Sequence, residues 1–169
     1  SRSYVATSEC GSLPVDQIPL TWTDATINLP VLKDHGIAGV TGALKNIAFG
    51  CYHTTPQAHG DHCDPFIAEA YENFTGVNAL PLIVMDATEG CFDGGPVPAN
   101  SSAIWRENAV YLGSDPVALD RVCCRLIAAK RKAAGLADVT PMARHIDTAA
   151  AKGLGVADAG RIDVVTVRV

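Results

Sequence analysis

Several signatures of well-known protein classes are missing from this 169-residue chain. It has no run of five or more basic residues, and its formal net charge of −5 argues against a nucleic-acid-binding surface. Its longest strongly apolar run covers only residues 79–85, which is far too short to cross a bilayer. No C-x-x-C pair occurs among its 6 cysteines, so neither a zinc ribbon nor an iron–sulfur cluster within this chain is supported. The Walker A, G-x-G-x-x-G and G-x-S-x-G motifs are absent as well.

Composition and pattern indicate one compact α/β domain. Hydrophobic residues make up 48% of the chain and charged residues 18%, a balance typical of a globular protein with a sizeable core. Short apolar runs alternate with stretches of helical periodicity, which predicts a mostly parallel sheet flanked by helices. The predicted strands cover residues 24–31, 80–87, 108–113 and 161–169, and the predicted helices cover residues 40–50, 64–74, 114–135 and 140–155. We treat residues 1–169 as a single domain with an irregular lead-in over residues 1–20.

Polar residues stand at the ends of three predicted strands. Lys33 and His35 follow the first strand, Asp86 stands near the end of the second, and Asp115 follows the third. In sheets of this class, ligands bind beyond the carboxyl ends of parallel strands. If these strands are parallel and adjacent, the three groups lie on one rim of the sheet. Asp86 or Asp115 could then serve as a ligand or as a general base.

The stretch LKDHGIAGVTGALKN, residues 32–46, is rich in glycine and contains two lysines. Glycine allows the backbone to approach a neighbour closely and to adopt positive φ angles. We expect Thr41 to cap the helix that follows and Gly42 to lie at its start. Free N–H groups at that start would attract an anion, and Lys33 and Lys45 would add positive charge. A plain strand-to-helix turn is the alternative interpretation of the same pattern.

Histidine and cysteine are concentrated in the stretch CYHTTPQAHGDHCDP, residues 51–65. Imidazole and thiolate are good ligands for zinc, copper, iron and nickel. The spacing matches no standard closed metal site, however, so a polar loop with solvent-facing histidines is the alternative. In an oxidising compartment, Cys51 and Cys63 could form a disulfide. His145 lies on a separate predicted helix, where we expect a satisfied surface or core histidine.

Five ordered motifs resemble those of one known family. INLPVLKDHGIAGVTGALKN, HCDPFIAE, DGGP, SDPVALDRV and TAAAKGLGVAD together look like the uncharacterised family catalogued as domain of unknown function 362. The resemblance runs from about Asp24 to Val164, nearly the whole chain. The family pattern matches the following residues of this sequence: Lys33, His35, Gly39, Thr41, Gly42, Lys45, Asn46, His59, Cys63, Asp64, Pro65, Asp86, Gly94, Gly95, Asp115 and Asp120.

The resemblance implies a location and a partner. Some family members carry a ferredoxin module and others are exported by the twin-arginine route. The motif forms here look most like the exported members, which implies a periplasmic or otherwise extracytoplasmic location. Family domains are about twice this long, so the chain looks like a C-terminal half whose partner is the N-terminal half or a second chain. An exported setting would suit a Cys51–Cys63 disulfide, which would exclude Cys63 as a metal ligand.

Two hypotheses of function follow, with a subunit of a larger assembly as a third. The first is a metal- or cofactor-binding protein with a redox or metal-assisted role, which holds a transition metal ion through His35, His59 and Cys63. Its cofactor-binding residues would be Lys45, Thr41, Gly42, Asn46 and Asp115. The second is an enzyme without a metal that acts on a small anionic organic substrate. In it Lys33 and Lys45 bind carboxylate or phosphate, and the catalytic residues are His35, Lys33 and Asp86.

Overall fold

The computed structural model describes residues 24–52 and 56–168, together with the backbone of two strands near the amino terminus. These strands are β1 (Tyr4–Thr7) and β2 (Gly11–Pro14), which pair with each other antiparallel. The prediction of an irregular lead-in was therefore wrong for this hairpin. The other residues of that lead-in lie outside the described part of the chain.

The main sheet is built around one long strand, β6. Its strands are β3 (Ala25–Asn28), β4 (Val31–His35), β5 (Gly39–Thr41), β6 (Ala79–Cys91), β7 (Ile104–Trp105) and β8 (Ala109–Gly113). β3 and β4 run parallel to β6 and follow one another along the same edge, since only two residues separate them. β7 and β8 pair with β6 antiparallel, and β5 pairs antiparallel with β4. The predicted α/β class, with a parallel centre to the sheet, is confirmed.

Helices cover one face of this sheet. They are α1 (Ala43–Gly50), α2 (Phe66–Thr75), α3 (Pro116–Ala133) and α4 (His145–Ala151). A kinked 3-10 segment, Pro56–Cys63, precedes α2, and short 3-10 turns cover Ser101–Ala103, Thr140–Met142 and Ala159–Arg161. Within the described ranges, no helix has both the length and the apolar character needed to cross a bilayer.

The core lies between the helices and the inner face of β6. Ile83, Met85 and Ala87 alternate along β6 and are completely buried, as the period of a half-covered strand requires. Phe66 and Phe74 of α2 are among the largest buried side chains on the helical side. The opposite face of the sheet keeps apolar residues exposed to solvent: Ile27, Leu29, Val31, Leu82, Val110 and Leu112.

Three predicted elements differ from the structure. The helix predicted from residue 40 begins at Ala43, because the residues before it pair with β4 as β5. The helix predicted over 140–155 is a 3-10 turn followed by the shorter α4. The strand predicted over 161–169 is not formed by residues 162–168. Alternating valines favour a strand, but a strand also needs a hydrogen-bonded neighbour, and Val165 and Val167 are instead exposed.

Candidate functional site

Four segments bring polar side chains together at the carboxyl end of β4. β4 itself carries Lys33 and His35, and α1 carries Lys45 in its first turn. The 3-10 segment carries His59, whose ring is stacked on that of His35 with 6.2 Å between centroids. Cys63, at the end of the same segment, is buried and close enough for its charge to affect Lys45. The structure therefore brings residues of the glycine-rich stretch and of the His/Cys stretch close together.

His35 is held in one tautomer by the backbone that follows it. Its Nδ1 accepts hydrogen bonds from the N–H groups of Ile37 at 3.2 Å and Ala38 at 3.1 Å. The proton of the neutral ring must therefore be on Nε2. Burial lowers the pKa of His35 to about 4, and the nearby positive charges of Lys45, His59 and Lys33 act in the same direction. At neutral pH, His35 is an uncharged hydrogen-bond donor through Nε2.

Lys45 is a buried amine. Its residue is only 6% exposed, and its Nζ lies 3.5 Å from the centroid of the Phe49 ring. Among the residues that the structure describes, no carboxylate forms an ion pair with it. Burial lowers the pKa of Lys45 to about 8; Lys33 lowers it further, whereas a charged Cys63 would raise it. A lysine in this environment can gain and lose a proton close to neutral pH.

His145 at the start of α4 is a third histidine at this place. It is completely buried, and within the described ranges neither ring nitrogen has a hydrogen-bond partner. Burial lowers its pKa to about 3, and the positive charges of Lys45, Arg121 and His35 contribute. The prediction of a satisfied histidine was wrong on the hydrogen bonding. The helical spacing of His145 and Ala149 on one buried face was a signal that this ring points inward.

We refer to these residues together as the Lys45 cluster: Lys33, His35, Lys45, His59, Cys63 and His145. Thr41 is placed beside it, directly opposite Lys33 across the β4–β5 pair. The Thr41 hydroxyl is buried and has no hydrogen-bond partner among the described residues. It therefore has a donor and an acceptor to offer to a bound molecule.

The backbone that places Cys63 in the cluster is strained. Asp61, His62 and Cys63 have φ angles of 41°, 62° and 62°, a left-handed conformation that non-glycine residues avoid. Two contacts hold them: His62 Nδ1 hydrogen-bonds the Ile37 carbonyl at 2.8 Å, and Arg144 Nη2 donates to the Asp61 carbonyl at 2.6 Å. Each such residue costs about 1–3 kcal/mol, and strain of this kind is concentrated at functional sites.

The first two N–H groups of α1 have an acceptor within the fold. The Asp120 carboxylate of α3 accepts hydrogen bonds from the N–H groups of Ala43 at 2.5 Å and Leu44 at 3.1 Å. A Cβ at Gly42 would lie 2.0 Å from Asp120 Oδ1, so glycine is needed for this close approach. Thr41 is not the cap of this helix, and an internal carboxylate accepts two of the hydrogen bonds that a ligand was expected to accept. The cofactor-binding role of Thr41 and Gly42 stays a prediction.

Asn46 takes part in a network within the fold. Its Nδ2 donates to Asn28 Oδ1 at 2.8 Å, and Asn28 Nδ2 donates to the Ala43 carbonyl at the same distance. These bonds tie the end of β3 to α1. The cofactor-binding role of Asn46 stays a prediction, with its amide already engaged in the fold.

Asp86 and Asp115 do not lie on the rim that carries the Lys45 cluster. Asp86 is paired with Val31 at the opposite end of β4 from His35, and it is exposed on the solvent face. Hydrogen bonds from Thr88 lower the pKa of the Asp86 carboxyl. Because β8 is antiparallel to β6, it ends beside Ile83. Asp115 follows β8 and therefore lies at the opposite end of the sheet strands from the Lys45 cluster. The prediction of a single rim was wrong for two reasons: β6 continues to Cys91, so that Asp86 lies inside the strand, and β8 is antiparallel to β6.

Asp115 has a local structural task at that end. Its Oδ1 accepts from the Ala118 N–H at 2.8 Å, which caps α3, and its Oδ2 accepts from the Val156 N–H at 2.9 Å. A large groove of about 1030 Å³ also lies on this side, between β8 and residues 162–168. None of the Lys45 cluster lines it.

The metal-ligand set predicted from the sequence is not preformed. Across the described ranges, no three His, Cys, Asp or Glu side chains are grouped so that they could hold one metal ion. Cys51 and Cys63 are not joined to each other by a disulfide. Metal binding by His35, His59 and Cys63 stays a prediction.

Fold and site together define an α/β protein with a buried cluster of lysines and histidines beside the end of a sheet strand. The chain belongs to the family described as Domain of unknown function (DUF362), which it matches over residues 10–125. This range includes every member of the Lys45 cluster except His145. The motif TAAAKGLGVAD lies beyond the matched range. Comparison with curated proteins and with solved structures gave no significant match.

Proposed function

We propose that the Lys45 cluster binds a small organic anion and performs acid–base chemistry on it. The observation that carries this proposal is the burial of Lys45 beside neutral histidines without a carboxylate partner among the described residues. An isolated ammonium group is costly to bury, and an anionic ligand would compensate the charge. The Asp120 carboxylate satisfies N–H groups at the start of α1, whereas no carboxylate of the described residues forms an ion pair with Lys45.

Three members of the Lys45 cluster have proposed roles that suit their burial and protonation. Lys33 is half-buried beside Thr41 and would hold the carboxylate or phosphate of the ligand. His35 would donate from Nε2 to an oxygen of the ligand, which polarises a carbonyl group without placing a second positive charge beside Lys45. Lys45 would transfer the proton, because its pKa of about 8 is close to the working range of a general acid or base.

Binding of inorganic phosphate and of oxalate, measured by titration calorimetry, tests this proposal. Lys45→Gln and Lys33→Gln should each weaken binding about tenfold or more, since each removes a charge at the ligand. Lys132→Gln is the matched control, because Lys132 is an exposed lysine of α3. Affinity should also fall as the pH rises through about 8, where Lys45 loses its charge. Equal binding by Lys45→Gln and Lys132→Gln would contradict the proposal.

A transition metal ion is the second candidate ligand. The stacking of His35 and His59 near Cys63 favours it. The hydrogen bonds to Nδ1 of His35 count against it, because a metal at Nε2 requires the proton on Nδ1, where two N–H donors already point. Elemental analysis of protein purified without a metal-binding tag tests this idea. Retention of a transition metal that is lost in both His59→Ala and Cys63→Ala would favour the metal over the anion.

The exposed apolar face of the sheet supports the expected partner. Parallel strands are normally covered on both faces, yet Ile27, Val31 and Leu82 are exposed here. A further layer would come from an N-terminal half of the family domain or from a second chain. Light scattering of the purified chain, alone and with such a half supplied in trans, tests this. An extracytoplasmic location remains part of the same proposal and would be tested by fractionation of cells that make the protein.

A further inference from the structure

The ε-amine of Lys45 is positioned for more than charge compensation. Its surroundings contain the uncharged rings of His35 and His145 and the aromatic face of Phe49. No carboxylate among the described residues holds the amine in its protonated form. The half-buried Lys33 adds a like charge that works against protonation. Such an environment produces a nucleophilic amine, since only the neutral form of lysine has a free electron pair.

The same neighbours limit the substrate that could react. An electrophilic carbon must reach Lys45, and a negative group must remain near Lys33, which is less buried than Lys45. His35 offers Nε2–H to an oxygen atom. One small molecule that satisfies all three groups is an oxo acid, which carries a carbonyl and a carboxylate.

We propose that Lys45 forms a covalent imine with the carbonyl carbon of a small oxo acid, an inference that rests on the proposed anion site. The nitrogen of Lys45 attacks the carbonyl carbon, and a carbon–nitrogen bond forms while the carbonyl π electrons move to oxygen. His35 stabilises that oxygen by a hydrogen bond. The two protons of the amine leave with the oxygen as water when the carbon–oxygen bond breaks. No oxidant or reductant takes part in this step.

Reductive trapping tests the imine directly. The full chain is treated with pyruvate and cyanoborohydride, which delivers hydride to the imine carbon and leaves a stable secondary amine on the lysine. Peptide mapping by mass spectrometry then compares Lys45 with Lys132, the exposed lysine of α3. At pH 7.5, the labelling of Lys45 should exceed that of Lys132 by at least about tenfold, because a pKa of about 8 leaves a substantial fraction of the Lys45 amine neutral at that pH. Equal labelling of the two lysines would overturn the inference.

Two matched probes separate the parts of the inference. Acetone has the ketone without the carboxylate, so it should label Lys45 at least about tenfold less than pyruvate does. Lys33→Gln should reduce labelling by pyruvate by a larger factor than labelling by acetone, because it removes the charge that holds the carboxylate as well as a charge that lowers the pKa of Lys45. An equal response of Lys45 to pyruvate and acetone would contradict the role of the carboxylate. Because the wild-type chain carries the main readout, loss of folding in a variant does not decide the result.

The outcome also distinguishes this inference from the proposed function. If phosphate and oxalate bind through Lys33 and Lys45 but pyruvate leaves no label on Lys45, the imine is wrong and the anion site stands. If neither binding nor labelling occurs, both are wrong. Labelling whose rate rises to half its maximum near pH 8 would identify the titrating group as Lys45 itself.

Discussion

Two buried polar regions lie near the first turn of α1, and they differ in whether the described residues supply partners to their polar groups. In the first region, at the start of α1, the Asp120 carboxylate is completely buried and accepts hydrogen bonds from two backbone N–H groups. In the second region, Lys45 and His145 are buried as well. The described residues provide no ion pair for Lys45 and no hydrogen bond for the His145 ring. A buried polar group with partners serves the fold, whereas one without them is a candidate for binding a ligand.

Removal of the satisfied carboxylate should have the largest effect on stability. Asp120→Ala leaves two backbone N–H groups buried without acceptors, and we expect a loss of about 3–4 kcal/mol in the free energy of unfolding. Asp120→Asn keeps one acceptor oxygen and should lose about half as much. Urea denaturation measures both. The folded variants should still bind phosphate. Loss of phosphate binding with unchanged stability would mean that Asp120 serves binding and not the fold, which contradicts the contrast with Lys45.

Lowering the pH should destabilise the fold mainly through His145, whose ring has no hydrogen-bond partner among the described residues. His145 has a pKa of about 3 in the folded chain, against 6.5 for an unperturbed histidine. Its contribution to stability is therefore complete above pH 6.5 and is lost as the pH falls toward 3, because the unfolded chain takes up the proton first. We expect His145→Gln to remove on the order of 2–3 kcal/mol of this pH dependence. Urea denaturation at pH 7 and pH 4.5 measures the change in the free energy of unfolding between the two pH values. The same change in His145→Gln as in the unmodified chain would contradict the prediction.

Replacement of the buried amine should separate stability from binding. Lys45→Met removes a buried charge that has no carboxylate partner among the described residues, so we expect a gain of about 1 kcal/mol in the free energy of unfolding. Phosphate binding should be lost in the same variant. Lys132→Met is the control and should change neither quantity. A large destabilisation by Lys45→Met would mean that Lys45 supports the fold, as Asp120 does.

The smallest effect is expected at Asp86. This carboxylate is exposed, and its hydrogen bonds from the N–H and hydroxyl of Thr88 are local. Asp86→Ala should change the free energy of unfolding by no more than about 0.5 kcal/mol and should leave phosphate affinity unchanged. Chemical denaturation and calorimetry measure the two quantities. A strong loss of binding would restore the catalytic role predicted from the sequence.

Much of the local structure could be predicted because its signals are local. Asp115 and Pro116 open α3, and the buried run of β6 appears as an apolar stretch. The sequence left open whether His35 lies close to His59, and the stacked rings in the structure answer that question. Strand direction was not predictable from local signals, and the error over Asp115 came from that, since an antiparallel β8 finishes at the opposite end of the sheet strands.

By itself, the sequence determined the α/β class, the helix and strand types, and the residue chemistry of the candidate site, because periodicity and capping act over a few residues. Only the tertiary structure decided which polar groups are satisfied. Asp120 lies 77 residues from Ala43 in the chain, and His145 reaches the cluster from the last helix. Partners so distant in sequence are set by packing. That packing supplied an internal carboxylate to the start of α1, whereas among the described residues it supplied no ion pair to Lys45 and no hydrogen bond to the His145 ring.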